Sequence, residues 1–159
     1  MIIPPAAAEP LFHLGSFPIT NAMINAWIAV VFFVCVAAIA RRRVGLVPKG
    51  IHNVIEGLIE FMLTETQKVT GDLKRAKQFL PIVGTIFLFV LFSNWLGLLP
   101  GTGSIGIWAE HEGAIELIPL LRPAASDLNL TLAIALFAVI SSHVIGLMAV
   151  GPVSHLSKF

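Results

Sequence analysis

Three long stretches of this chain carry no Asp, Glu, Lys or Arg: Ala22 to Ala40 (19 residues, one Asn), Phe79 to Leu99 (21 residues) and Leu128 to Val150 (23 residues, one His). A helix needs about 20 apolar residues to cross about 30 Å of hydrocarbon. Lipid offers no partner to open backbone groups, so a spanning segment has to be helical. Each stretch therefore predicts a transmembrane helix. The first ends on the basic triplet Arg41, Arg42 and Arg43. The second and third end at Pro100-Gly101 and Gly151-Pro152, both strong helix stops.

Residues 51–69 follow another pattern. Ile51, Val54, Ile55, Leu58, Ile59, Met62 and Leu63 recur at the spacing of one helical face, and Asn53, Glu56, Glu60, Thr64 and Lys68 occupy the other. This predicts an amphipathic helix too charged to cross and lying along a membrane surface. Interfacial helices usually show lipid a basic polar face. Here Glu56 and Glu60, beside the neutral Asn53, make that face acidic, which leaves a protein partner or plain solvent. The opening MIIPPAAAEP reads as an extended, proline-broken tail without the basic start of a signal peptide. Residues 101–126 form a loop whose start is loosened by Gly101, Gly103 and Gly106, with short helical character from Glu112 to Leu121. A loop of this length is usually functional or packed on a neighbour.

The basic residues set an orientation. Arg41, Arg42, Arg43, Lys49, Lys68, Lys74, Arg75 and Lys77 lie between the first and second spans, Lys158 follows the third, and only Arg122 lies in the other compartment. The positive-inside rule then predicts the N-terminus outside and the C-terminus inside. Composition agrees with a membrane class: 57% of the 159 residues are hydrophobic and 12% charged, against about 25% charged in soluble domains. A net charge of +1 gives no basic footprint for nucleic acid. The single cysteine, Cys35, excludes an internal disulfide. The expected fold is an all-α integral membrane protein: a single membrane domain over residues 1–159, with three transmembrane helices and one inner-surface amphipathic helix.

Candidate chemistry is sparse. Glu110-His111-Glu112, with His13 on the same side, is compact but lacks metal-ligand spacing and reads as a solvated loop face. No motif of a hydrolase, kinase or nucleotide-binding loop occurs, so an enzyme acting alone is not expected, and no cofactor is implied. His143 lies inside the third span beside Ser141 and Ser142. An intramembrane ionisable residue is a functional candidate, although a neutral histidine bonded to a neighbouring helix would look the same. Asn94 lies near the outer end of the second span; Asp127, Asn129 and Thr131 open the third. Asp127 can cap that helix, or the group can form a polar outer mouth suited to water and ions. Spacing leaves both readings open.

These residues carry a resemblance. LFSNWLGLLPG (Leu91 to Gly101) is similar to the Asn-x-x-Gly-Leu-x-Pro signature of subunit a of bacterial F-type ATP synthases. LRPAASDLNLTLAIAL (Leu121 to Leu136) is similar to the Asp-x-Asn-x-Thr-Leu signature that opens that family's next helix, with Ala124-Ala125-Ser126 a small reshuffling before the Asp. The order of elements also resembles the family: span, amphipathic helix, span, outer loop, span. The resemblance implies a stator component of the membrane (Fo) sector. Such a component contributes to two half-channels that carry H⁺, or Na⁺ in some members, to and from a rotating c-ring in the bacterial inner membrane. It also implies the c-ring, membrane lipid and the peripheral-stalk (b) subunits as partners, the last on the Asn53, Glu56 and Glu60 face. Asn94, Asp127, Asn129 and Thr131 fall at matching positions on the outer side. The family's essential arginine stands in a Leu-x-x-Arg-Leu-Phe-Gly-Asn helix, and no such motif occurs in these residues, so the chain is expected to correspond to the N-terminal part of subunit a. The alternatives are a non-transporting scaffold or assembly protein derived from this subunit, and an unrelated small transporter using His143 and Asp127.

Overall fold

The computed structural model describes residues 7–42, 50–111 and 114–151. In chain order these form β1 (Pro10–Leu14), β2 (Phe17–Thr20), α1 (Asn21–Arg42), α2 (Ile51–Thr70), α3 (Leu73–Leu98), β3 (Gly106–His111), β4 (Ala114–Pro119), a 3-10 turn at Ala124–Ser126 and α4 (Leu128–Val150). Helices α1, α3 and α4 are long and apolar enough to cross a membrane. Large apolar side chains on them, such as Val30, Val34, Leu132, Leu136 and Met148, are exposed, as expected for groups that meet lipid rather than water.

The chain divides into two compact units, one of Met1–Val36 with Leu88–Ala133, the other of Ala37–Phe87 with Ile134–Phe159. The buried residues of the first unit are small or polar: Asn21, Ala22, Asn25, Ala29, Ser93, Ala124 and Asp127, with Ile19 and Ile118. On α1, Asn21, Asn25 and Ala29 fall at helical spacing on one buried face, which combines two polar amides with one small side chain. Phe32 stacks on Phe92 at 4.2 Å between ring centroids, and Phe33 meets Phe92 edge-on at 5.4 Å.

Two hairpins were not anticipated from the apolar pattern. β1 pairs antiparallel with β2, matching His13 to Pro18 and Leu14 to Phe17. The turn between them starts on Gly15, whose φ of 66° is readily adopted only by glycine. β3 pairs antiparallel with β4, from Gly106 opposite Pro119 to His111 opposite Ala114. This corrects the helical character expected from Glu112 to Leu121; Glu112 itself lies outside the described residues. Ile107, Ile115 and Ile118 favour strands. At Gly106 an added Cβ would fall 2.2 Å from the Ile118 carbonyl oxygen, so only glycine permits that approach.

The second unit is organised around the turn from α2 to α3. Gly71 ends α2 in the left-handed conformation (φ 73°), and its N–H donates to the Gln67 carbonyl at 2.8 Å. Asp72 then caps α3, its Oδ2 accepting the Arg75 N–H at 3.3 Å. The cap explains why α3 starts at Leu73, six residues before the apolar run at Phe79: the basic residues Lys74, Arg75 and Lys77 interrupt hydrophobicity without interrupting the helix. At the other end of α2, the His52 ring donates from Nε2 to the Ala40 carbonyl at 3.2 Å. The sequence stripe on α2 is only partly covered: Met62 is buried, as is Thr66 one turn beyond the stripe, whereas Ile51, Val54 and Ile59 are exposed.

Candidate functional site

The polar residues of the first unit gather around the start of two helices. Thr20 caps α1, its Oγ1 accepting the Met23 N–H at 3.3 Å. Asn21 follows it fully buried: its Nδ2 donates to Glu9 Oε2 and to the Pro119 carbonyl, each at 3.2 Å, and its Oδ1 accepts the Ala22 N–H at 2.9 Å. One turn on, Asn25 donates from Nδ2 to the Ser93 carbonyl at 3.2 Å. Its Oδ1 is buried and has no hydrogen-bond partner among the described residues. A buried acceptor in that state is costly unless a water or a further donor reaches it.

Asp127 is the cap of α4. Its backbone is extended (φ −90°, ψ 121°), and its Oδ1 accepts the Asn129 N–H at 3.3 Å and Asn129 Nδ2 at 3.4 Å. The same oxygen accepts the Ala8 N–H at 3.2 Å, from a residue 119 positions earlier. Thr131 donates its hydroxyl to the carbonyls of Asp127 (3.0 Å) and Leu128 (3.1 Å). Arg122 completes the cluster, donating from Nε to Ser126 Oγ at 3.0 Å and from Nη1 to the Ala7 carbonyl at 3.1 Å. Asp127, Asn129 and Thr131 are thus brought together, and the N-terminal segment is tied to them by Ala7 and Ala8. Asn94 stays on its own helix, donating from Nδ2 to the Val90 carbonyl at 2.8 Å.

The two sequence signatures also meet. At Gly97 an added Cβ would fall 2.2 Å from Pro123 Cγ and 2.5 Å from Cδ. A proline ring is rigid and cannot move aside as a flexible chain end would, so glycine is required there. The family model for the ATP synthase A chain matches residues 23–159. This chain belongs to the ATP synthase A chain family. It is 26% identical over 149 residues to ATP synthase subunit a of Moorella thermoacetica, covering 94% of this chain and 59% of that one. It is 33% identical over 147 residues to ATP synthase subunit a of Mycobacterium marinum, covering 91% and 56%. For ATP synthase subunit a of Gloeobacter violaceus the identity is 32% over 129 residues, covering 81% and 48%. The chain spans about half the length of the curated relatives it matches.

Of the other candidates of this family member, His143, Asn53, Glu56 and Glu60 lie in the second unit. His143 is on an exposed face of α4. Asn53, Glu56 and Glu60 are exposed on α2. His13 is exposed on β1, while the side chains of Glu110 and His111 and the whole of Glu112 fall outside the described residues. Reading the sequence alone missed Glu9, Asn21, Asn25, Ser93 and Arg122. The available signal was the pair Asn21 and Asn25, one helical turn apart at the start of an otherwise apolar span.

Proposed function

We propose that this chain is a stator component of the membrane sector of a bacterial ATP synthase, contributing to the ion path beside the c-ring and so to gradient-driven ATP synthesis. The observation that carries this reading is the family match over residues 23–159, which takes in both signature segments and all three spanning helices. In this role the chain is non-catalytic and sits in the inner membrane with its N-terminus outside. Asn94, Asp127, Asn129 and Thr131 belong to the polar outer side of the path, and His143, roughly 22 Å along the third span at 1.5 Å per residue, to the inner third of the bilayer. The Asn53, Glu56 and Glu60 face of α2 meets the peripheral stalk.

Chemically, the Asp127 cluster has two tasks. Its carboxylate supplies negative charge at the positive end of the α4 dipole, which attracts cations to the outer mouth and holds the helix start in place. The amide and hydroxyl groups of Asn129 and Thr131 add exchangeable donors and acceptors for water. One observation favours a second reading, that of a scaffold without transport: Asp127 Oδ1 is already engaged by Ala8 and Asn129. Affinity purification of the tagged chain from its own membranes tests the proposal. Co-purification of a c-ring and stalk subunits supports it, and isolation of the chain without either overturns it.

A further inference from the structure

An apolar groove of about 490 Å³ lies between α2 and α3, lined by Phe61, Met62, Val69, Phe79, Val83 and Phe87 among others. The polar residues that border it have turned away from it. Thr66 donates its hydroxyl to the Met62 carbonyl at 2.7 Å and Thr70 to the Thr66 carbonyl at 3.0 Å, which leaves their methyl groups for the lining. Glu65 is neutralised by Lys68 at 2.6 Å.

The groove is graded along its length. Phe79, Val83 and Phe87 follow each other at intervals of four on one face of α3. From the first to the third is about 12 Å at 1.5 Å per residue, close to the roughly 15 Å of hydrocarbon in one leaflet. Arg75 continues the same row one turn further, about 6 Å beyond Phe79, at the depth of the headgroups. Lys74, Arg75 and Lys77 are exposed and form no ion pair among the described residues. They stand in the first turns of α3, where the helix dipole disfavours cations and Asp72 caps the helix start. Arg75 thus places a cation with no ion pair among the described residues at the headgroup end of an apolar slot about one leaflet deep, which is complementary to a molecule with an anionic head and an apolar tail. Lys74 and Lys77 stand on other faces of α3.

We propose that this groove binds one anionic phospholipid of the inner leaflet, with an acyl chain along Phe79, Val83 and Phe87 and its phosphate on Arg75. The inference rests on the orientation given under the proposed function, which puts this end of α3 on the inner side. It does not need the chain to conduct ions.

The test uses the full chain in mild detergent, in the assembly with which it purifies. Retained lipid is counted by native mass spectrometry during titration with dioleoylphosphatidylglycerol or dioleoylphosphatidylcholine. Each Lys or Arg near an anionic surface is worth about fivefold in binding. One phosphatidylglycerol should be retained about fivefold more tightly than phosphatidylcholine; R75Q should remove that preference and K74Q/K77Q should leave it. Equal retention of the two lipids, indifference to R75Q, or loss of the preference in K74Q/K77Q overturns the proposal. Val83→Trp fills the slot and should weaken both lipids; unchanged retention in a variant with native helical content also overturns it. A photo-cross-linking residue at position 83, used in native membranes, should capture lipid, and capture of a polypeptide overturns the assignment. Labelling of Gln67→Cys in a Cys35→Ser background from each side of the membrane reads the orientation separately. Failure of that reading is thereby distinguished from failure of lipid binding.

Discussion

Replacing Asp127 separates its structural task from any task in ion movement. The side chain is buried, and Oδ1 alone accepts the Ala8 N–H at 3.2 Å, the Asn129 N–H at 3.3 Å and Asn129 Nδ2 at 3.4 Å. Loss of a helix cap costs about 1 kcal/mol. Loss of a charged acceptor from a backbone N–H costs about 1.5–3 kcal/mol, and distances at or beyond about 3.2 Å argue for the lower half of that range. Asp127→Ala should therefore destabilise the chain by about 2–3 kcal/mol. Asp127→Asn keeps an acceptor oxygen at the same position, and Asn is as good a cap, so it should cost under about 1 kcal/mol. Unfolding of both variants in mixed micelles, followed by circular dichroism, measures the difference. Equal losses for Ala and Asn, or no loss for Ala, would refute the hydrogen-bond origin of the effect. Because Asp127→Asn removes the charge and keeps the fold, impaired ATP-driven pumping in that variant reports on the ion path alone.

Gly97→Ala should destabilise by about 1–3 kcal/mol, since the new methyl overlaps the Pro123 ring; the same unfolding experiment checks it. Gly71→Ala has open space around the new methyl but must hold φ at 73°, so a loss of about 1–2 kcal/mol is expected and should be relieved by moving the glycine back. Asn25→Asp puts a second oxygen against the Ser93 carbonyl and buries a charge, which should cost several kcal/mol. Asn25→Leu removes both the hydrogen bond and the orphaned oxygen and should change stability by less than about 1 kcal/mol.

The spanning helices were legible because apolar length is a requirement of the bilayer rather than a local preference. The start of α3 was less so: Lys74, Arg75 and Lys77 look like a loop to a hydropathy pattern, and the cap at Asp72 becomes visible only once Arg75 N–H is seen to bond to it. The stretch Glu112 to Leu121, which holds β4, reads as helical because so short a run holds too few periods to separate the two patterns. The deciding contact, Gly106 against Ile118, joins positions twelve apart. At the candidate site, the nearness of Asp127, Asn129 and Thr131 follows from their spacing on one helix start. The contribution of Ala7 and Ala8 does not, because it depends on the chain returning across 115 and 119 positions to meet Arg122 and Asp127.

ATP-driven proton uptake into inverted membrane vesicles tests the stator assignment most directly. Vesicles from cells depleted of this chain should hydrolyse ATP on their soluble sector but fail to acidify, and acidification should return when the chain is supplied again. Undiminished acidification after complete depletion would contradict a place for this chain in the ion path.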